Sequence, residues 1–136
     1  LTKAVAMQAF REAVEALDMD AAEALLAPDV VFTSPVVFKP YTGKAITGAI
    51  LRAVSGVFED FRYVREINDV GGRDHALVFT ARVGDREING CDFIHVDDDG
   101  LIDEFTVMVR PLSAAQALAA AMGERFERIA EEARAV

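Results

Sequence analysis

The chain has 136 residues, 52% of them hydrophobic and 27% charged, with one cysteine, Cys91. That length makes a single domain, 1–136, which buries about two thirds of its unfolded surface and forms a core without staples; a lone cysteine excludes a disulfide-framed scaffold. Fourteen Lys and Arg against 23 Asp and Glu leave a net charge of −9, which repels phosphate backbones, so no nucleic-acid partner is expected.

Ala6, Phe10, Ala13, Val14 and Leu17 recur at three- and four-residue spacing and predict an amphipathic helix from Lys3 to Leu17. Asp18-Met19-Asp20 interrupts it, and Asp20 is expected to cap a second short helix through Leu26, closed by Pro28. From Asp29 to Phe38 the residues turn β-branched and aromatic, and a strand bending at Pro35 is expected. After Pro40-Tyr41-Thr42-Gly43, the spacing of Ile46, Ile50, Leu51, Val54 and Phe58 predicts a third helix.

Four strands then follow, Phe61 to Val70, His75 to Val83, Ile88 to Val96 and Leu101 to Val109, separated by Gly- and Asp-rich breaks; the last three should form an antiparallel meander. Ser113 with Gln116 forms a capping-box pattern before one final helix carrying Leu118, Met122, Phe126 or Ile129, and Ala133. This order implies an α+β fold, a curved antiparallel or mixed sheet with helices packed on its concave face. Of the 23 alanines, 18 lie in residues 1–27 and 114–135, so much of the apolar excess is helix propensity and leaves a core of ordinary bulk with room for a pocket.

Asp92 is the most informative residue, because Ile88, Gly90, Asp92, Ile94 and Val96 share one strand face. A carboxylate among Ile and Val is paired, protonated or used, and a raised pKa in an apolar cleft suits a general acid or base. The structural alternative is an Asp that accepts from a backbone N–H or an Arg. Tyr41 and Ser34 flank the bend at Pro35, where their hydroxyls would reach the rim of a cavity, or else pack a ring and shape a turn. Phe32, Phe58, Phe79 and Phe105, with Val54, Leu77, Val83, Val107 and Val109, fall on faces expected to meet the helices. Without a cavity these are packing; with one they line a pocket for a hydrophobic ligand.

The histidines assemble no metal site on spacing grounds: His75 sits beside a turn, and His95 lies about 13 Å along the strand from Cys91. Asp97-Asp98-Asp99-Gly100 reads as a hairpin turn, since a calcium loop in that frame would need acids where His95 and Thr106 stand. No nucleophile elbow, phosphate-cradling glycine loop, Cys-x-x-Cys pair or dinucleotide fingerprint is present, so neither cofactor nor metal is expected. Charges interrupt every apolar run well short of the roughly 20 residues of a membrane span, and no secretory pattern opens the chain; no membrane partner and a cytoplasmic location are expected.

Leu25-Leu26-Ala27-Pro28-Asp29-Val30-Val31-Phe32-Thr33-Ser34-Pro35, Tyr41-Thr42-Gly43-Lys44, Gly90-Cys91-Asp92 and Asp99-Gly100-Leu101-Ile102-Asp103-Glu104 running to Arg110-Pro111 follow one another in an order and spacing that resembles the nuclear-transport-factor-2-like (NTF2-like) superfamily, particularly its polyketide-cyclase-like, or SnoaL-like, branch. The resemblance covers nearly the whole chain. It implies a cone-shaped α+β barrel with a deep pocket, a fold that hosts isomerases, hydrolases, dehydratases, cyclases and domains without activity, and so does not choose the chemistry. Of the Asp, His, Tyr or Arg that enzymatic members place in the pocket, Asp92 and Tyr41 match here.

Two readings stand. In the first the protein is a cofactor-independent isomerase, cyclase or hydrolase in which Asp92 moves a proton on a hydrophobic carbonyl-bearing ligand and Tyr41 steadies the oxyanion. In the second it is a non-catalytic ligand-binding or dimerisation domain with a structural Asp92. Val78, Cys91, Phe93 and Met108 give the sheet a second apolar face, for which a homodimer through the sheet is the expected cover.

Overall fold

The computed structural model describes residues 3–135, with side chains from residue 5 onward. The elements in chain order are α1 (Lys3–Glu15), α2 (Met19–Ala24), β1 (Leu26–Thr33), β2 (Tyr41–Thr42), α3 (Lys44–Ser55), β3 (Glu59–Asn68), β4 (Asp74–Val83), β5 (Arg86–Val96), β6 (Ile102–Arg110), α4 (Leu112–Gly123) and α5 (Phe126–Arg134). The strands form one curved, open sheet in the order β2-β1-β6-β5-β4-β3. The pairs from β3 to β6 are all antiparallel, extending the expected meander by one strand, while β1 runs parallel to β6 and makes the sheet mixed.

The local differences from the sequence reading have identifiable causes. The cap of α2 is Asp18, whose Oδ1 accepts from the Ala21 N–H at 3.1 Å, rather than Asp20, which lies inside the first turn. Leu17 ends the α1 region outside the helix, with φ +58° and its side chain 63% exposed, so the buried stripe stops at Val14. The second helix ends at Ala24, and Leu26 and Pro28 belong to β1. Pro28 is tolerated because the pairing of β1 with β6 shifts register between Leu26 and Val31, which is where a strand can accommodate a residue without an N–H. Beyond Thr33 the strand does not bend through Pro35. Residues 34–40 form a loop started by Ser34 Oγ, which accepts from the Val36 and Val37 N–H groups at 3.0 and 3.2 Å, and the chain rejoins the sheet as β2.

The last helix is two. Gly123 ends α4 and a turn through Glu124 and Arg125 redirects the chain into α5; Pro111 rather than Ser113 takes the N-cap position of α4, with no side-chain cap bond, so the capping box does not form.

The helices close over the concave face. Phe10 of α1 meets Phe105 of β6 edge-on with ring centres 5.5 Å apart, and Phe32 of β1 reaches the same ring at 5.4 Å. Arg52 of α3 ties three helices together, its Nε donating to Glu132 of α5 at 2.7 Å and its Nη groups to Asp20 and Glu23 of α2 at 3.3 Å. On the sheet, Phe79 of β4 faces Gly90 of β5, and the ring folds down onto the glycine, where a Cβ would stand 2.1 Å from Phe79 Cζ. A side chain at position 90 would therefore displace the ring. Gly90→Ala should lower stability by about 1–3 kcal/mol in chemical denaturation, the usual cost of overpacking; an unchanged midpoint would show that Phe79 has room to move aside.

Candidate functional site

A cavity of about 410 Å³ lies between the sheet and the helices. One wall is a cluster of rings in which Phe61 stands 5.0 Å from both Phe79 and Tyr63, and Phe58 stands 5.8 Å from Phe61 and 5.6 Å from Phe79. The opposite side is made by Leu118 and Met122 of α4 and Phe126 and Ile129 of α5. Among the described residues no Lys, Arg or His lines it, so apart from the phenols of Tyr41 and Tyr63 the one ionisable group they place on its surface is Asp92.

Among the described residues three buried side chains are polar, Thr47, His75 and Asp92. Thr47 donates to the Gly43 carbonyl at 2.8 Å, and His75 bonds Asn68 and the Gly72 carbonyl through its two ring nitrogens; both are absorbed into local structure. Asp92 differs because it faces the cavity from the middle of β5, between Leu77 of β4 and Val107 of β6. Its side-chain partner is Tyr63 of β3, whose hydroxyl donates to Oδ2 at 2.7 Å. No buried side-chain oxygen lacks a partner among the described residues, and Tyr63 occupies Oδ2 alone, so Oδ1 is the atom Asp92 turns to the cavity.

The electrostatics follow from this setting. Burial pushes the Asp92 carboxyl up to about 7, against the smaller pull of the Tyr63 hydrogen bond, which favours the carboxylate. Burial also drives the Tyr63 phenol well above its ordinary value, and the neighbouring Asp92 charge adds to that, so Tyr63 keeps its proton and serves as donor. The result is a carboxyl that exchanges its proton near neutral pH beside a fixed phenol, in an apolar chamber.

Nine of the residues singled out in the sequence border this cavity: Asp92, Tyr41, Phe32, Ser34, Val54, Phe58, Phe79, Phe105 and Val107. Leu77 and Val83 lie instead in the surrounding core, and Val109 packs against it. The structure does not join Tyr41 to Asp92. The Tyr41 ring leans on Phe126, 6.5 Å between centres, and its hydroxyl has no protein partner among the described residues. Ser34 Oγ is engaged by two backbone N–H groups of its own loop.

The residue the sequence reading missed is Tyr63. The alternation Phe61, Tyr63 in β3 carried the signal, but the partnership with Asp92 spans the intervening strand β4 and depends on the register, which pairs Tyr63 with Phe79 and Leu77 with Asp92. On the outer face, His95 Nδ1 bonds Asp103 at 2.6 Å and Glu104 lies 3.9 Å away, because β6 carries one extra residue opposite the His95–Val96 step. These three are the residues that would be offered to a cation, and they lie apart from the cavity. No helix among the described residues is long and apolar enough to cross a membrane.

An open curved sheet wrapped around helices, with a chamber at its concave face, is the architecture of the NTF2-like superfamily. The chain belongs to the SnoaL-like domain family, which matches residues 7–105. Among solved structures it is similar to a steroid delta-isomerase from Pseudomonas aeruginosa, with 44% identity, 93% of this chain and 92% of that chain covered and a TM-score of 0.88. It is also similar to an uncharacterised bacterial protein with a cystatin-like fold from Silicibacter pomeroyi, with 35% identity, 93% of each chain covered and a TM-score of 0.83. An NTF2-like protein from Burkholderia xenovorans shares the fold at 20% identity and a TM-score of 0.66, over 85% of this chain and 94% of that one. No curated protein matches the chain.

The raised Asp92 pKa makes stability depend on pH with a definite sign. The native state holds this proton more tightly than the unfolded chain, whose value is near 3.8, so the contribution is fully present below about pH 4 and is lost as the pH rises to about 7. Asp92→Asn removes the titration. Its stability relative to the parent should grow by roughly 2–3 kcal/mol between pH 5 and pH 8 in denaturant titrations; a constant difference across that range would mean that Asp92 has an ordinary carboxyl pKa.

Proposed function

We propose that the protein is a cofactor-independent isomerase that binds a small, neutral, hydrophobic carbonyl compound and shifts a double bond by moving a proton through Asp92. The observation that carries this reading is the position of Asp92: a buried carboxyl poised near neutrality, with one oxygen held by Tyr63 and the other turned to an apolar chamber without cations. The likeness to a steroid delta-isomerase supports the substrate class, a rigid apolar ketone.

In this mechanism Asp92 Oδ1 takes a proton from the carbon between the carbonyl and the double bond. The electron pair of that C–H bond becomes the new carbon–carbon double bond of a dienolate as the carbonyl electrons move onto oxygen; when they return, the far carbon of the original double bond takes the proton from Asp92, regenerating the carboxylate. Tyr63 holds the carboxylate in place and restrains its pKa. Tyr41, whose hydroxyl is uncommitted at the cavity wall, donates to the oxyanion. Phe32, Val54, Phe58, Phe79, Phe105 and Val107 supply the apolar surface that excludes water, and Ser34 shapes a loop that borders the cavity.

The test is turnover of a β,γ-unsaturated ketosteroid, followed by the ultraviolet absorbance of the conjugated product. Asp92→Asn should lower kcat/KM by about 10²- to 10⁴-fold, the usual range for a general base. Tyr63→Phe should move the rise of rate with pH upward, since the hydrogen bond that favours the carboxylate is gone. Binding of the ketosteroid without turnover by the parent would favour the second reading, a non-catalytic ligand-binding domain, and unchanged turnover in Asp92→Asn would remove the base role.

The outer face of the sheet supports a homodimer as well. Phe93 and Met108 are 44% and 59% exposed there, and Val78 and Cys91 lie half-buried on the same face. Light scattering at micromolar concentration should give twice the 14.8 kDa chain mass; a 14.8 kDa particle would contradict the dimer.

A further inference from the structure

Arg11 lies on α1 beside the Tyr63 ring, and no step of the reaction above uses it. Its guanidinium carbon stands 5.8 Å from the centre of the Tyr63 ring. Two carboxylates fix it there: Glu15, one turn further along α1, accepts from Nε at 3.2 Å, and Glu66 of β3 accepts from Nη1 at 3.0 Å. Glu66 is held in turn by Asn68, whose Nδ2 donates to Oε2 at 2.9 Å. The ring itself is wedged edge-on against Phe61 at 84°, so it has little freedom to turn away from the cation.

We propose that Arg11 is a positioning residue for the proton-carrying pair, clamping the Tyr63 ring between α1 and the sheet and strengthening the hydrogen bond that Tyr63 donates to Asp92. This rests on the reading of Asp92 as the proton carrier and adds a part of the chain outside the cavity to its control. A cation over an aromatic face draws electron density from the ring, and a phenol so polarised is a better hydrogen-bond donor. A better donor to Asp92 stabilises its charged form. The charged and titratable groups acting on Tyr63 are Asp92 and Glu15, which oppose its ionisation, and Arg11, which favours it; Glu66 acts on it through Arg11. Removing the Arg11 cation therefore leaves acids alone around the phenol. The shift at Asp92 must be upward.

The experiment follows the Asp92 carboxyl carbon by NMR through a pH titration of the ligand-free protein, alongside the melting temperature. Arg11→Met should raise the Asp92 midpoint by about half a pH unit, the size expected of one cation–π contact. Arg11→Lys, which restores a cation on a flexible stem, should recover most of that shift. Arg11→Gln keeps a polar stem reaching toward Glu66 without the charge, should shift the midpoint like Met, and serves if the Met variant does not fold. A lower melting temperature with an unmoved Asp92 midpoint would reduce Arg11 to a surface ion pair and overturn the proposal, as would equal shifts in the Met and Lys variants. Because this readout needs no substrate, a midpoint that moves in a protein inert toward the ketosteroid would uphold the role of Arg11 while refuting the proposed reaction.

Discussion

Burying a carboxyl group in an apolar chamber is costly, and the arrangement around Asp92 is organised by that cost. With no Lys, Arg or His among the described residues that line the cavity, one phenol hydrogen bond is the compensation they provide. A single neutral donor offsets only part of the desolvation of a carboxylate, and the proton affinity rises to where protonated and ionised forms exchange near neutral pH. An Arg or several backbone N–H groups at the same place would make Asp92 a structural anchor. Its partial satisfaction leaves it a group able to accept a proton and give it back.

The rest of the fold maintains that condition. Antiparallel register across β3, β4 and β5 brings Tyr63 within reach of Asp92, although 29 positions separate them in the chain. Gly90, on the Asp92 face and opposite Phe79, lets that ring lie flat on the sheet, so the chamber is walled with aromatic surface without being filled. The Arg52 cluster holds α2, α3 and α5 together over the chamber; surface ion pairs contribute little individually, and here one guanidinium serves three carboxylates.

Much of this is legible in the amino-acid sequence itself. Strict alternation from Ile88 to Val96 puts Asp92 on the core face, and the aromatic positions Phe32, Phe79 and Phe105 follow from the same period-two pattern; Phe58, expected on the third helix, lies beyond its end at Ser55 and still reaches the cavity. What stayed hidden depends on pairing rather than pattern. The Tyr63–Asp92 bond requires knowing which residues of three strands stand abreast, including the register shift between Tyr63 and Arg65. Asp18 and Asp20 are chemically equivalent caps, and only the turn after Leu17 decides between them. Val36, Val37 and Phe38 have strand propensity but pair with no strand among the described residues, and Ser34 takes the Val36 and Val37 N–H groups into a loop.

The central claim is that Asp92 titrates far above an ordinary aspartate because burial outweighs its one hydrogen bond. It is tested most directly by the carboxyl-carbon NMR titration of Asp92 in the unmodified protein without ligand. A midpoint near pH 7 is the result the structure requires; a midpoint near 4, as in a solvated carboxylate, would show that the chamber is wet or otherwise charged and would contradict the account of the site.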